Sequence, residues 1–204
     1  MIQTAQQAVG ATSYPGRGII VGKSADGARA VLAYFIMGRS TNSRNRVFVA
    51  EGKDLKTQAF DPSKLVDPSL IIYAPVRTLE NSTVVTNGDQ TDTIYDSISK
   101  KGSFEAALME RTFEPDAPNF TPRVSAMATF AKGDFSLDMA ILRAGDAQGS
   151  CCHRVFWKYE RVEAGKGYFL HTYRCDGNPI PSFTGDPETV ALDDGSAFEI
   201  ADRL

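Results

Sequence analysis

Strand-like runs lie on both sides of one short helical stretch, and that order limits what the chain can fold into. Gly18 to Gly22 reads as a short buried strand, followed by a turn with Asp26-Gly27 at its tip, a strong hairpin signal. Ala28 to Met37 is apolar on both faces, which predicts a strand covered from both sides. Val47 to Ala50, Leu70 to Val76 and Thr83 to Val85 read as further strands, with a solvated linker broken by Asp61-Pro62 and Asp67-Pro68 between the first two. Residues 91–101 then put Ile94 and Ile98 on one helical face, and Ser103 can cap a second helix that turns Phe104, Ala107 and Leu108 inward. Four more strands are expected near 123–130, 135–142, 152–160 and 167–173, then a Gly- and Pro-rich loop from Asp176 to Asp186 and a short helix over Ser196 to Leu204. Strands segregated from a central helical pair specify an α+β fold rather than a doubly wound parallel sheet. Apolar residues on both faces of many strands predict two stacked sheets with helices outside.

At 204 residues the chain fits one domain. Residues 1–13 are polar, small and aperiodic, and are expected to form a flexible N-terminal arm ahead of a domain at 14–204. A net charge of −3 and basic residues that are scattered, apart from Arg39, Arg44 and Arg46 in one short stretch, give no nucleic-acid footprint. No apolar run approaches the roughly 20 residues that span a bilayer. The N-terminus has neither the basic nor the apolar region of a signal peptide, so a cytoplasmic location is expected.

The odd set Cys151, Cys152 and Cys175 does not suggest a disulfide framework. Cys151-Cys152-His153 has one other histidine, His171, to work with and no C-x-x-C spacing, so neither a metal nor a cofactor is expected. Phosphate-loop, dinucleotide-binding and nucleophile-elbow motifs are missing, and no acid and nucleophile accompany either histidine. Chemistry therefore falls to Arg, Tyr, Asn, Asp, Glu and Lys. That set suits a reaction run by orientation and hydrogen bonding. Two polar blocks offer such groups at element ends, Thr86 to Thr93 and Phe113 to Arg123. Element mouths are where scaffolds hold small polar ligands, although the same residues also form ordinary turns.

Several stretches follow one another in a familiar order: Gly16-Arg17-Gly18-Ile19-Ile20-Val21-Gly22, then Gly38-Arg39-Ser40 with Asn42 and Arg44, then Ile72-Tyr73. Val85-Thr86-Asn87-Gly88-Asp89-Gln90-Thr91-Asp92-Thr93-Ile94, Asn119-Phe120-Thr121-Pro122-Arg123-Val124, and Thr172-Tyr173 with Asp176 to Phe183 continue it. Over about residues 14–187 the chain resembles the archaeal-type IMP cyclohydrolases and their bacterial relatives. The resemblance implies a four-layer αββα sandwich of two antiparallel sheets, similar to N-terminal-nucleophile hydrolases. It also implies closure of 5-formamidoimidazole-4-carboxamide ribotide to IMP with loss of water, in purine biosynthesis. The partner would be a purine ribonucleotide, with no part for nucleic acid or membrane and room for a homo-oligomer. Those hydrolases expose a terminal Cys, Ser or Thr, whereas here Met1-Ile2-Gln3 leads a polar arm, so that device is not expected.

The same resemblance assigns the site. Tyr73 becomes the proton donor or oxyanion partner, Arg44 the group that holds the 5′-phosphate or orients the carboxamide, and Glu114 the general base. Arg17, Arg39 and Arg123 are further candidate substrate-binding arginines. Asn87, Asp89 and Thr91 would meet ribose hydroxyls or base edges, a role compatible with capping the helix that starts near Thr91. Asn119 completes the set from the second polar block. Arg44, Tyr73, Asn87, Asp89, Thr91, Glu114 and Asn119 are expected to line one cleft. Three alternatives stay open: a nucleotide-binding protein that has lost the reaction, an amide hydrolase on the same scaffold, and an assembly or structural module. We expect cyclohydrolase turnover to survive exhaustive chelation; loss restored only by added zinc would contradict the metal-free reading.

Overall fold

The computed structural model describes residues 2–204. In chain order the elements are α1 (Ala5–Gly10), β1 (Arg17–Lys23), β2 (Ala30–Ile36), α2 (Thr41–Arg44), β3 (Val47–Glu51), β4 (Asp54–Gln58), β5 (Val76–Leu79) and β6 (Ser82–Thr86). They continue with α3 (Gln90–Ser99), α4 (Phe104–Met109), β7 (Arg123–Ala131), β8 (Asp134–Ala144), β9 (Cys152–Tyr159), β10 (Lys166–His171), β11 (Glu188–Ala191) and α5 (Ala197–Asp202). One sheet has the order β11-β10-β1-β2; the other runs β3-β4-β5-β6-β7-β8-β9, in sequence order throughout. Every strand pairing in both sheets is antiparallel.

The period of two along each strand builds the layers. Ile19 and Val21 of β1 face Val85, Val124, Ala126, Leu137, Met139 and Ile141 of the larger sheet, and this is the core between the sheets. Ile20, one residue out of phase, joins Val31, Phe169 and Val190 under Ala5 and Ala8 of α1, with Ile200 of α5 packed alongside. On the far side Val84, Met127, Ala140 and Leu142 meet Ile94, Phe104, Ala107 and Leu108 of α3 and α4. The result is the expected α+β sandwich in four layers, αββα. Among the described residues, no helix is long and apolar enough to cross a membrane.

Four local expectations are corrected. The segment expected to be a loose arm carries α1, because Thr4 and Gln7 form a capping box and Ala5 and Ala8 are buried. Its small residues suit close packing. Leu70 to Val76 was expected to be a strand but is a turn region until Val76. Thr57 takes its polar groups instead: Thr57 N donates to the Tyr73 carbonyl at 2.9 Å, Thr57 Oγ1 donates to the Ile71 carbonyl at 2.7 Å, and Tyr73 N donates to Thr57 Oγ1 at 2.9 Å. Part of the expected linker is strand β4, which pairs with β3 from Val47↔Gln58 to Glu51↔Asp54. The apolar run in β2 touches both layers, Tyr34 toward the inter-sheet core and Phe35 toward the α1 side, but β2 is an edge strand and stays mostly half-buried.

Ile94 is fully buried and joins α3 to α4 and to the sheet. Ile94→Ala should lower stability by about 2–5 kcal/mol, read as a lower urea midpoint at unchanged slope.

Candidate functional site

Between the ends of the two sheets lies a cleft of about 340 Å³. Gly16 and Arg17 enter it from the start of β1, Arg39 from beyond β2, and Asn42 and Arg46 from α2 and its exit. Glu114, Asp116, Asn119 and Thr121 come from the loop before β7, and Tyr14 and Tyr173 close one side. Gly16 has φ +76°, and a Cβ there would lie 2.3 Å from Thr172 Oγ1 and 2.5 Å from the Tyr173 ring, so only glycine lets the chain turn so close.

The floor is a buried ion pair. Arg17 Nη1 donates to Glu114 Oε1 at 2.9 Å and Nη2 donates to Oε2 at 2.8 Å, with Nη1 also donating to the Asn87 carbonyl at 2.8 Å. This two-point geometry is the strong form of an Arg–carboxylate contact. Burial alone would ease proton loss from Arg17, but the adjacent Glu114 carboxylate outweighs it and holds the guanidinium pKa well above its ordinary value. The loop that carries Glu114 is knotted by Asp116: Thr121 N donates to its Oδ1 at 2.6 Å, Asn119 N donates to its carbonyl at 3.1 Å, and Thr121 Oγ1 donates to Oδ2. Tyr173 and Thr121 share a 2.5 Å hydroxyl contact. Burial pushes the Tyr173 pKa well up, against the opposing influence of Thr121 and Arg17, so its hydroxyl keeps its proton at neutral pH. Tyr14 stacks on Tyr173 with ring centres 5.7 Å apart.

Of the residues picked out by sequence, the fold brings Arg17, Arg39, Glu114 and Asn119 to this cleft. Asn119 Oδ1 accepts from Ile180 N at 3.1 Å, which ties the second polar block to the loop after β10. Arg39 Nη1 donates to Asp176 Oδ1 at 2.7 Å and to the Gly177 carbonyl at 3.0 Å. Asn87 lies beneath as a brace: its Nδ2 donates to the Pro122 carbonyl, and its Oδ1 accepts from Val124 N and Gln90 Nε2, each at 2.8–2.9 Å. Arg123 lies beneath too, donating from Nη1 to Asp89 Oδ1 and Gln90 Oε1 at 2.7 Å.

The other picks lie elsewhere, which corrects the expectation of one cleft for all seven. Thr91 is buried against Thr86 Oγ1 at 2.7 Å and the Gly88 carbonyl at 3.0 Å. Asp89 faces a separate groove between α3 and α4. It stands at the head of α3 without capping it, because its carboxylate is taken by Arg111 and Arg123. Tyr73 is buried outside the cleft lining, its hydroxyl 2.6 Å from that of Tyr34. Arg44 turns away: its Nε donates to the Gly38 carbonyl at 2.9 Å, and its side chain lines a neighbouring depression with Val47 and Phe48. Arg46, two residues on, lines both that depression and the cleft. Between them the buried Asn45 fixes the chain, donating to the Asp61 carbonyl at 2.9 Å and accepting from Asp61 N at 2.8 Å.

With this geometry in place, known proteins supply the frame. The family described as IMP cyclohydrolase-like protein matches residues 14–204. The chain belongs to that family. The IMP cyclohydrolase of Methanopyrus kandleri is 30% identical, over 93% of this chain and all of that protein. The IMP cyclohydrolase of Methanocaldococcus jannaschii is 28% identical over 94% of this chain and 85% of its own length, and that of Methanococcus maripaludis 30% identical over 79% and 75%.

In this member of the family Arg46, Tyr14, Asp116 and Tyr173 were not singled out from the sequence as site residues. Tyr173 lay inside a matching stretch and Arg46 beside one. What distinguishes them is the direction of the side chain, which depends on Asn45 and on the Asp116 loop rather than on local pattern.

Burial works to raise the Asp89 pKa, but hydrogen bonds and charge from Arg111 and Arg123 override it and set the folded value below the ordinary one. A carboxylate with a depressed folded pKa stabilises the fold above its unfolded value of about 4 and loses that contribution as pH falls through the folded value. Asp89→Asn should therefore flatten the acid limb of the stability profile below about pH 4. Urea denaturation across that range checks it; a limb parallel to wild type would contradict it.

Proposed function

We propose that the protein is an IMP cyclohydrolase that uses this cleft to close 5-formamidoimidazole-4-carboxamide ribotide to IMP in purine biosynthesis. The observation that carries the placement is the Arg17–Glu114 pair, a buried charged couple opening into the cleft of a chain in this family. Both reacting groups belong to one molecule, so the first gain is to hold the rotamer that brings the carboxamide nitrogen onto the formyl carbon. Nitrogen attack forms the new C–N bond and moves the carbonyl electrons onto oxygen. The amide nitrogen gives up one proton, the formamide nitrogen gives up another in the dehydration, and the oxygen leaves with both as water.

Glu114 is the base of this proposal. Its carboxylate is fixed on two oxygens by Arg17, so it is oriented before substrate arrives. Arg17 adds a fixed positive charge where the formyl oxygen becomes negative. Tyr173 retains its proton, and it is assigned the donor to the departing oxygen, with Thr121 and Asp116 behind it. Tyr73, whose hydroxyl meets that of Tyr34 at 2.6 Å outside the cleft lining, is given no step here. The stacked Tyr14 and Tyr173 rings offer a flat apolar wall for the planar imidazole. Arg44 takes no part.

Glu114→Gln keeps the shape of the side chain and removes the base. It should lower kcat by about 10²- to 10⁴-fold with IMP affinity little changed, in a spectroscopic assay of ring closure on protein whose fold is verified by its melting curve. Unchanged kcat would remove Glu114 from the chemistry. A wild-type protein that binds IMP and does not turn over the formyl ribotide would make this a nucleotide-binding protein.

A further inference from the structure

His171 is a buried titratable group with no part in the ring closure described above. It ends β10, is 3% exposed, and lies between two aromatic rings. Phe169 stacks on it with ring centres 4.6 Å apart, and Phe183 tilts against it at 4.2 Å. A slot of that kind fixes the rotamer but has no use for a nitrogen; phenylalanine would fill it. The nitrogens have their own partners. Nδ1 is 2.8 Å from the Tyr173 carbonyl, while Nε2 is 3.3 Å from Glu188 Oε1, outside the usual span of an N–H···O bond. Glu188 is engaged elsewhere, its Oε2 accepting from Gln3 Nε2 at 2.9 Å. A carbonyl oxygen only accepts, so the hydrogen sits on Nδ1. Burial holds the His171 pKa below its ordinary value against the opposing pull of Glu188 and Tyr173, which leaves the ring one hydrogen to give at neutral pH.

That hydrogen goes to the residue whose hydroxyl serves the cleft. Thr172 still follows the strand pairing, its N donating to the Arg17 carbonyl at 2.9 Å. Beyond it the chain folds back: Phe183 N donates to the Thr172 carbonyl at 2.9 Å, and Arg174 N to the Pro181 carbonyl at 3.0 Å. Tyr173 stands at the point of departure. Its N donates to the Pro15 carbonyl at 3.2 Å, its hydroxyl meets Thr121, and a side chain, not a strand, holds its carbonyl. We infer that His171 is a positioning residue for the reaction: as the Nδ1–H tautomer, clamped between Phe169 and Phe183, it fixes the backbone of Tyr173 and so the place of the Tyr173 hydroxyl in the cleft. It touches no substrate and acts through Tyr173 alone. The inference rests on the cyclohydrolase reading, with Tyr173 as proton donor. Because the donor is needed in the transition state, the effect falls on kcat and not on KM.

Two substitutions separate the ring from its hydrogen. His171→Phe keeps the aromatic filling and removes the donor; His171→Asn gives up the filling and returns an N–H near the place of Nδ1. His171→Phe should lower kcat for ring closure about 10- to 100-fold, the scale for a catalytic group misplaced by about 1 Å, with KM little changed. His171→Asn should recover most of that loss. Packing alone predicts the opposite order in kcat, and that order would overturn the assignment. In protein that already carries Tyr173→Phe, adding His171→Phe should slow turnover no further; losses that multiply would show that His171 does not act through Tyr173. Tyr173→Phe with the kcat of wild type would remove the donor, and with it the catalytic part of His171. The tautomer is read without turnover, from the imidazole nitrogen resonances of isotope-labelled protein. A hydrogen on Nδ1 is expected, and a hydrogen on Nε2 sinks the inference. Should wild type close no ring, the cyclohydrolase reading fails, and these resonances alone decide whether His171 anchors Tyr173.

Discussion

The contact that holds this architecture in register is the two-point bond between Arg17 and Glu114. It joins the first strand of the small sheet to the loop that leads into β7 of the large one. Both side chains are almost completely removed from water. Such a pair contributes little net stability over an apolar replacement, but removing one partner strands the other at a cost of about 3–5 kcal/mol. Its effect is therefore on specificity. The apolar contacts of Ile19 and Val21 with Met139 and Ile141 are non-directional, whereas the two-point Arg17–Glu114 bond demands one alignment of the sheet ends.

Around that pair the charges alternate. Arg17, Glu114, Arg123, Asp89 and Arg111 form a chain from the cleft floor to the α3–α4 side. Gly88 makes the chain possible: a Cβ at that position would lie 2.7 Å from Arg123 Nη1 and from Gln90 Oε1. The fully buried Asn87 and Gln90 supply the neutral hydrogen bonds between the ions, so the network is satisfied apart from Arg123 Nε. A floor wired this way is organised before a ligand arrives, which is what a reaction governed by orientation requires.

Much of the layering was legible in the chain because period-two alternation and capping are local. Ser103 caps α4 as its sequence announces, with its side chain accepting from Ala106 N. The polar block from Thr86 to Thr93 reads in sequence as a mouth for a polar ligand, but Asn87, Thr91 and Asp89 spend their side chains on the floor beneath the cleft and on the α3 side. Arg44 and Arg46 are chemically identical in sequence. The Asn45–Asp61 contact fixes the chain between them, and of the two it is Arg46 that reaches the cleft lining. Tyr73 was expected in a strand; the Thr57 side chain intercepts its backbone and turns it inward. Contacts of this kind join residues well apart in sequence through single side chains, and no propensity or periodicity carries them.

The two sheets also differ in how far along the chain their neighbours lie. Every pairing in the large sheet joins consecutive strands. In the small sheet β1 pairs with β10, Gly18 opposite His171, across most of the polypeptide. Loop closure over such a span is slow, whereas consecutive hairpins close early. Tyr173 follows β10 directly, and Arg17 opens β1. The candidate site thus needs both ends of the chain, and a truncated chain holding only β3 to β9 would lack Arg17 and Tyr173 along with the small-sheet half of the inter-sheet core.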